Sequence, residues 1–188
     1  MVGTDIAEVE RELRAGRLCC PGCGGVLRPW GHARARAVRQ RVGTVRVRPR
    51  RSRCAGCAGT HVLLAELLLS RRADVVAVVG SALAKACGSG HRRIAAALGR
   101  AASTVRGWLR RFAAHAERIR VVFTGLAHAF DPDLPAAEPT GSGFADAVAA
   151  IGAAARAASL RLGPRPPWRF AARVSGGRLL GPAPINPS

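Results

Sequence analysis

Four of the six cysteines stand in two Cys-x-x-Cys pairs, Cys20-Pro21-Gly22-Cys23 and Cys54-Ala55-Gly56-Cys57, with 30 residues between them. Each pair puts two thiolates on one tight turn. Gly22 and Gly56 let the backbone fold back so that its N–H groups point at the sulfurs. Two such turns facing each other give S₄ coordination, which suits Zn²⁺. Four thiolates leave no open position, so the site is expected to be structural. A disulfide framework needs an oxidising compartment, and the acidic start of the chain (Asp5, Glu8, Glu10, Glu12) has the wrong sign for an export signal. A thioredoxin-like site needs one pair in a βαβ pattern. Cys19 and Cys87 are left over, the first as a neighbour of a ligand and the second as a small buried apolar residue. His32 and His61 are alternative ligands.

The residues between the pairs read as strands. Ala33–Val38 alternates small apolar residues with arginine, and Val45-Arg46-Val47-Arg48-Pro49-Arg50 does so more clearly. Period 2 sends Val45 and Val47 to one face and Arg46, Arg48 and Arg50 to the other. Gln40–Thr44, containing Gly43, is the expected turn. Residues 18–62 are therefore predicted to be a zinc ribbon with an arginine-studded face. A unit of about 45 residues is too small to fold on apolar burial alone, so the metal is expected to supply much of its stability.

Charge is distributed unevenly. The 188 residues carry 30 Lys+Arg against 11 Asp+Glu, a net +19, and Lys85 is the one lysine. Residues 13–65 hold twelve arginines and no acid, while residues 121–188 are nearly neutral. GC-rich coding explains arginine in place of lysine but not 53 consecutive residues without an acid. A chain of this kind is expected to seek polyanions, nucleic acid first. No apolar run reaches the ~20 residues of a membrane span, so a cytoplasmic, nucleoid-associated protein is expected.

Past residue 62 the period becomes helical. Val62–Leu69 is an apolar connection, and Val75, Val78, Val79, Ala82, Leu83 and Ala86 share one helix face. Cys87-Gly88-Ser89-Gly90 ends that helix. His91–Phe112 then has the layout of a helix-turn-helix. Ala95 is small where two helices cross, Gly99 sits where the turn needs positive φ, and Val105 and Trp108 face inward. Ser103 is the expected N-cap of the second helix. Its outward residues are Ser103, Thr104, Arg106, Gly107, Arg110 and Arg111, with Arg92 and Arg93 on the first helix. Short hydroxyls suit phosphates or base edges, and an arginine fork suits guanine.

The predicted organisation is mainly α with a small β zinc ribbon. It runs as an N-terminal helix (1–17), the ribbon (18–62), a helix-turn-helix domain (63–130) whose helix continues over 113–130, a linker (131–143), and an Ala-rich helix with an irregular Pro/Gly-rich tail (144–188). Trp168 and Phe170 in that tail are expected to dock on a core or on a partner.

Cys20-Pro-Gly-Cys23, Gly31-His32, the Val-Arg-Val-Arg-Pro-Arg-Arg strand, Cys54-Ala-Gly-Cys57 and Thr60 resemble the N-terminal zinc ribbon of bacterial insertion-sequence transposases. Ile94–Phe112 resembles the helix-turn-helix that follows it there. The chain as a whole is similar to an actinobacterial transposase-like family of unknown function, and the matching motifs cover about residues 18–115. The resemblance implies DNA recognition, with Cys20, Cys23, Cys54 and Cys57 as metal ligands and the Ser103–Arg111 face as reader. Transposases of this kind continue into a nuclease domain with three carboxylates on an α/β scaffold. Here Asp131, Asp133, Glu138 and Asp146 follow without a strand pattern, so no strand-transfer activity is expected.

The resulting expectation is a non-catalytic, zinc-dependent protein that binds double-stranded DNA. It is either the recognition part of a mobile element or a domesticated regulator. Arg46, Arg48, Arg50, Arg51 and Arg53 would grip phosphates. RNA binding is the first alternative, set back by the absence of an aromatic on the arginine strands. A protein-interaction adaptor for a separately encoded recombinase is the second. A homodimer is compatible with either reading.

Overall fold

A computed structural model describes residues 6–181. The first helix, α1, runs over Ile6–Arg14 and buries Val9 and Leu13. Five short strands follow: β1 (Leu27–His32), β2 (Arg36–Arg39), β3 (Thr44–Val47), β4 (Arg50–Cys54) and β5 (Thr60–Leu63). They form two separate sheets. One is a three-stranded antiparallel sheet in the order β1-β4-β5, and the other is a β2-β3 hairpin. Six helices complete the described residues: α2 (Val76–Lys85), α3 (His91–Leu98), α4 (Ala102–Ala113), α5 (Ala116–Phe130), α6 (Gly143–Leu162) and α7 (Pro167–Val174).

Two apolar cores account for this arrangement. The smaller one joins Val9 and Leu13 of α1 to Leu18, Leu27, Leu63 and Ala65, and it includes Cys20 and Cys54. The larger one is helical, with Phe112, Ile119, Phe123, Ile151 and Leu179 fully buried. Alanine-rich α6 lies along α5 and buries Ala147, Ala150, Ala154 and Ala158, where small side chains allow a close approach. This helix has the length and apolarity of a membrane span, although its sequence includes Asp146, Arg156 and Arg161; here much of it is packed against the protein.

The β2-β3 hairpin departs from the expected single ribbon. Val38 and Val47 belong to the helical core, not to the core under the three-stranded sheet. Period 2 is obeyed, because Val47 is buried while Arg46 and Arg48 are exposed. The apolar face is simply taken by another partner. Two backbone bonds fix the docking, Arg39 N–H to Ala73 O (2.7 Å) and Val75 N–H to Arg39 O (3.0 Å). Asp74, 2% exposed, completes the seam. It accepts from Arg39 Nη2 and from Arg100 Nε, both at 2.6 Å. Arg100 also donates to Gln40 O at 2.6 Å, tying the hairpin turn to the α3–α4 connection.

Three further expectations are corrected. Ser103 is not an N-cap: Ala101 occupies that position without a side-chain bond, and Ser103 lies inside α4. The helix over 113–130 is interrupted at Ala114–His115, where α4 ends and α5 begins. The tail is not irregular throughout. Pro166 and Pro167 start α7, since proline at the first helical position loses no bond. Phe170 packs edge-on to Phe123 and Phe130, and Trp168 seats on Gly80, where any Cβ would overlap the indole. Both aromatics therefore dock on the protein's own core. The start of the expected N-terminal helix (1–5) and the end of the expected tail (182–188) lie outside the described residues.

Candidate metal centre and basic surfaces

The two cysteine turns have the same backbone design. In the first, Cys20 N–H donates to Gly25 O and Gly24 N–H to Cys20 O, both at 2.8 Å. In the second, Cys54 N–H donates to Gly59 O at 2.8 Å and Ala58 N–H to Cys54 O at 3.1 Å. The fourth residue after the leading cysteine is left-handed in both, Gly24 (φ 73°) in one and Ala58 (φ 57°) in the other. An alanine is uncommon there, because its Cβ crowds the backbone. Ala55 N–H bonds to Val26 O at 2.9 Å and holds the turns side by side. Gly25 lies between them, where a Cβ would stand 3.0 Å from Cys54 Sγ and 3.3 Å from Gly56 N.

This pairing brings Cys20, Cys23, Cys54 and Cys57 together, with all four sulfurs within 4.8 Å of one another. Cys23 Sγ is 3.4 Å from Cys54 Sγ, and Cys20 Sγ is 3.8 Å from Cys57 Sγ. Cys20 and Cys54 are buried and Cys23 and Cys57 exposed, so the cluster is at the surface end of the small core. The arrangement could hold a metal ion. Backbone N–H groups of Cys57 and Gly56, with the neighbouring Cys23 thiol, lower the Cys54 pKa to about 6. Cys23 accepts the Gly25 N–H, which acts downward, but its bonds to Cys54, Cys57 and Cys20 push it up to about 12. Cys54 thus ionises readily while Cys23 beside it holds its proton, and a cation at the cluster would favour loss of that proton.

His61 Nε2 lies 3.4 Å from Cys20 Sγ, beside the cluster and outside its four-sulfur set. His32 instead faces Arg50, at 3.4 Å. Cys19 and Cys87 are exposed and outside the cluster; the expected burial of Cys87 fails because it lies just past the end of α2, at the surface.

The candidate DNA-contacting residues fall on separate surfaces. Arg92 and Arg93 are exposed on α3. Ser103, Arg106, Arg110 and Arg111 are exposed on α4, with Thr104 half-buried. Gly99 caps α3 with φ 61°, as the turn requires, and α3 and α4 bury Ile94, Ala95, Leu98, Val105, Trp108 and Phe112 between them and the core. Arg111 folds back to donate to Gly107 O at 3.1 Å. Arg106 and Arg110 border a cavity of about 700 Å³ shared with His91, Thr140 and Phe144.

The strand arginines are split. Arg46 is on the hairpin and Arg48 just beyond it, both exposed. Arg51 and Arg53 share the outer face of β4. Arg50 points to the opposite face and is engaged within the protein: its Nε is 2.9 Å from Glu10 Oε2 and its Nη1 donates to Gly31 O at 3.1 Å. A phosphate-gripping role for Arg50 conflicts with that engagement. Sequence reasoning also missed Trp30, which is 50% exposed with the Arg53 guanidinium over its ring at 4.9 Å. No aromatic lies on β3 or β4 themselves, but β1 pairs with β4 and brings Trp30 beside Arg53.

No family model matches this chain, and no curated protein or solved structure matches it.

Proposed function

We propose that this protein is a zinc-dependent reader of double-stranded DNA, acting in recognition and not in catalysis. The observation that carries the reading is the α3–α4 pair. It is a short helix ended by left-handed Gly99, then a helix whose inner face is buried and whose outer stripe is Ser103, Arg106 and Arg110 without an acid. A helix of that kind fits the major groove, where its hydroxyls and guanidinium groups meet phosphates and base edges. Exposed Arg46 and Arg48 supply sequence-independent phosphate contacts. The likeness to insertion-sequence transposases points the same way and suggests the recognition part of a mobile element or a regulator derived from one.

Zinc is the metal this reading assigns to Cys20, Cys23, Cys54 and Cys57. A tetrahedral site with Zn–S bonds near 2.3 Å has sulfur–sulfur edges of about 3.8 Å. The 3.4 and 3.8 Å pairs are close to that edge. Bound there, zinc would hold the two turns together and fix the sheet that carries the arginines. His61 is placed to donate to the Cys20 thiolate and temper its charge.

Selection of bound sequences from random duplex DNA with zinc-loaded protein tests the reading. An enriched motif is expected. Arg106→Ala should relax sequence preference at a cost of about 1–3 kcal/mol. Arg48→Ala should weaken all sequences alike and flatten the salt dependence by about one unit. No enrichment, with equal losses for both variants on specific and random DNA, would refute groove reading by α4.

A further inference from the structure

The outer face of the three-stranded sheet carries a feature that duplex binding does not use. In β4, Ser52 and Cys54 are buried on the inner side while Arg53 is exposed on the outer side, with Arg51 beside it. The register sets Arg28 of β1 opposite Arg53, and sets Arg53 and Arg51 opposite Thr60 and Val62 of β5. Trp30 joins this face, as its contact with Arg53 requires. The result is one surface with an indole 50% exposed, Val62 51% exposed, and Arg28, Arg51 and Arg53 around them. None of these three arginines pairs with a carboxylate among the described residues.

The placement of Trp30 is not a packing necessity. The other two tryptophans pack on the core, Trp108 at 3% exposure and half-buried Trp168 on Gly80. Left-handed Gly31 (φ 79°) and the register shift between Pro29 and His32 let β1 bend at the indole. Large exposed aromatics cost hydration free energy unless a partner covers them. A flat ring with a guanidinium against it and further cations nearby suits an unpaired nucleobase with its flanking phosphates. A base in a duplex presents only its edge, so the partner must be unstacked.

We infer that Trp30, with Arg28, Arg51 and Arg53, forms a stacking platform for an unpaired base of single-stranded DNA. The preference for DNA over RNA rests on the duplex-reading role proposed for α4; the platform itself does not depend on α4. A protein with both surfaces would engage a junction, its helix on the duplex and its sheet on an adjoining single strand.

The test uses the full zinc-loaded chain with a 15-nucleotide oligo-dT, an oligo-U of the same length, and a duplex. Oligo-dT should quench tryptophan emission in the wild type, and the quench should vanish in Trp30→Phe. Trp30→Ala should lose about 5- to 150-fold in affinity for oligo-dT, with duplex affinity changed by less than about twofold. Trp30→Phe should keep most of the oligo-dT affinity, because a ring still stacks. Equal losses on duplex and single strand, or an emission unchanged by oligo-dT, would overturn the platform. Tighter binding of oligo-U than oligo-dT would overturn the assignment to DNA. Failure of α4 as a duplex reader would show as Arg106→Ala leaving duplex selection unchanged, with the oligo-dT result intact.

Discussion

The sheet end and the helical body of this molecule hold themselves together by different means. The helical body buries full-sized side chains, Phe112, Phe123, Ile119 and Ile151, against a long alanine-faced helix. Beneath the β1-β4-β5 sheet, the core is Val9, Leu13, Leu18, Leu27, Leu63 and Ala65, with two of the four clustered cysteines forming its end. An apolar core of that size does not offset the conformational entropy of the segment that builds it. Cross-linking by a metal is therefore the natural complement of the small core, and the large one has no need of it. The lesson is that two parts of one chain are ordered by different means: a metal at the cysteine cluster would order the arginine sheet, and apolar packing orders α4.

Removing the metal is the strongest way to break that comparison. Structural zinc in small peptides contributes ~10–16 kcal/mol of apparent folding free energy, against ~5–15 kcal/mol for the stability of a whole domain. A strong chelator, or Cys54→Ser, should therefore release residues 18–32 and 50–62 to hydrogen exchange. The amides of α5 and α6 should keep their protection. The β2-β3 hairpin should stay protected as well, because its valines are anchored in the helical core. Protection unchanged everywhere would refute metal-dependent folding, and loss of protection everywhere would refute the independence of the two cores.

Phe123→Ala makes the converse attack. Phe123 is fully buried beside Phe170, and truncating a buried phenylalanine costs about 3–5 kcal/mol. Denaturant unfolding followed by far-ultraviolet circular dichroism should show that loss in the helical transition. Metal stoichiometry of the native protein should not change, and a variant that no longer retains its metal would show that the cores fold as one.

Much of this was legible in the sequence, and the failures have physical reasons. Cysteine spacing identified the cluster because two turns of one design need the same short spacer. Gly99 and the inward positions of α3 and α4 followed from helical period. Period 2 placed Val47 and Arg46 on opposite faces correctly, but an alternating strand does not say which core takes its apolar side. The identity of that core depends on Asp74, a lone acid between distant arginines, whose pairing with Arg39 and Arg100 spans 35 and 26 residues. Trp30 carries no mark in the sequence, because its relation to Arg53 exists only across the β1-β4 pairing. The break at Ala114–His115 involves no proline or glycine and leaves no mark in the chain.

Asp74→Ala sharpens the comparison at the seam between hairpin and helices. Both carboxylate oxygens are engaged, and the Arg100 side chain is only 10% exposed. Removing one member of a buried pair costs ~3–5 kcal/mol; because Arg39 is 45% exposed, about 3 kcal/mol is expected. The hairpin amides should lose protection ahead of the helices, while the cysteine cluster retains its metal. Simultaneous loss in hairpin and sheet would place the hairpin with the sheet after all.

The smallest effect is expected at Glu66, which lies between the two regions. Its neighbours on one side, Leu63 and Ala65, are in the small core, and Arg173 of α7 is 3.9 Å away on the other. Burial raises the Glu66 pKa above the ordinary value of 4.5, opposed by the charges of Arg173, Arg169 and Arg165 and reinforced by Glu8. The native chain therefore keeps this proton where the unfolded chain has released it. The contribution of Glu66 to stability falls as pH rises from about 4.5 to the elevated native value, and is constant above it. Carboxylates held low by arginine or hydroxyl partners, such as Glu117 and Asp146, act in the opposite direction. The informative quantity is thus the difference between the wild type and Glu66→Gln, measured by denaturant unfolding across that window. The variant should lack the decline. After chelation the difference should disappear, because a released sheet end returns Glu66 to water. A difference that survives chelation would mean that the helical body buries Glu66 unaided, and the boundary between the two regions would move to the N-terminal side of that residue.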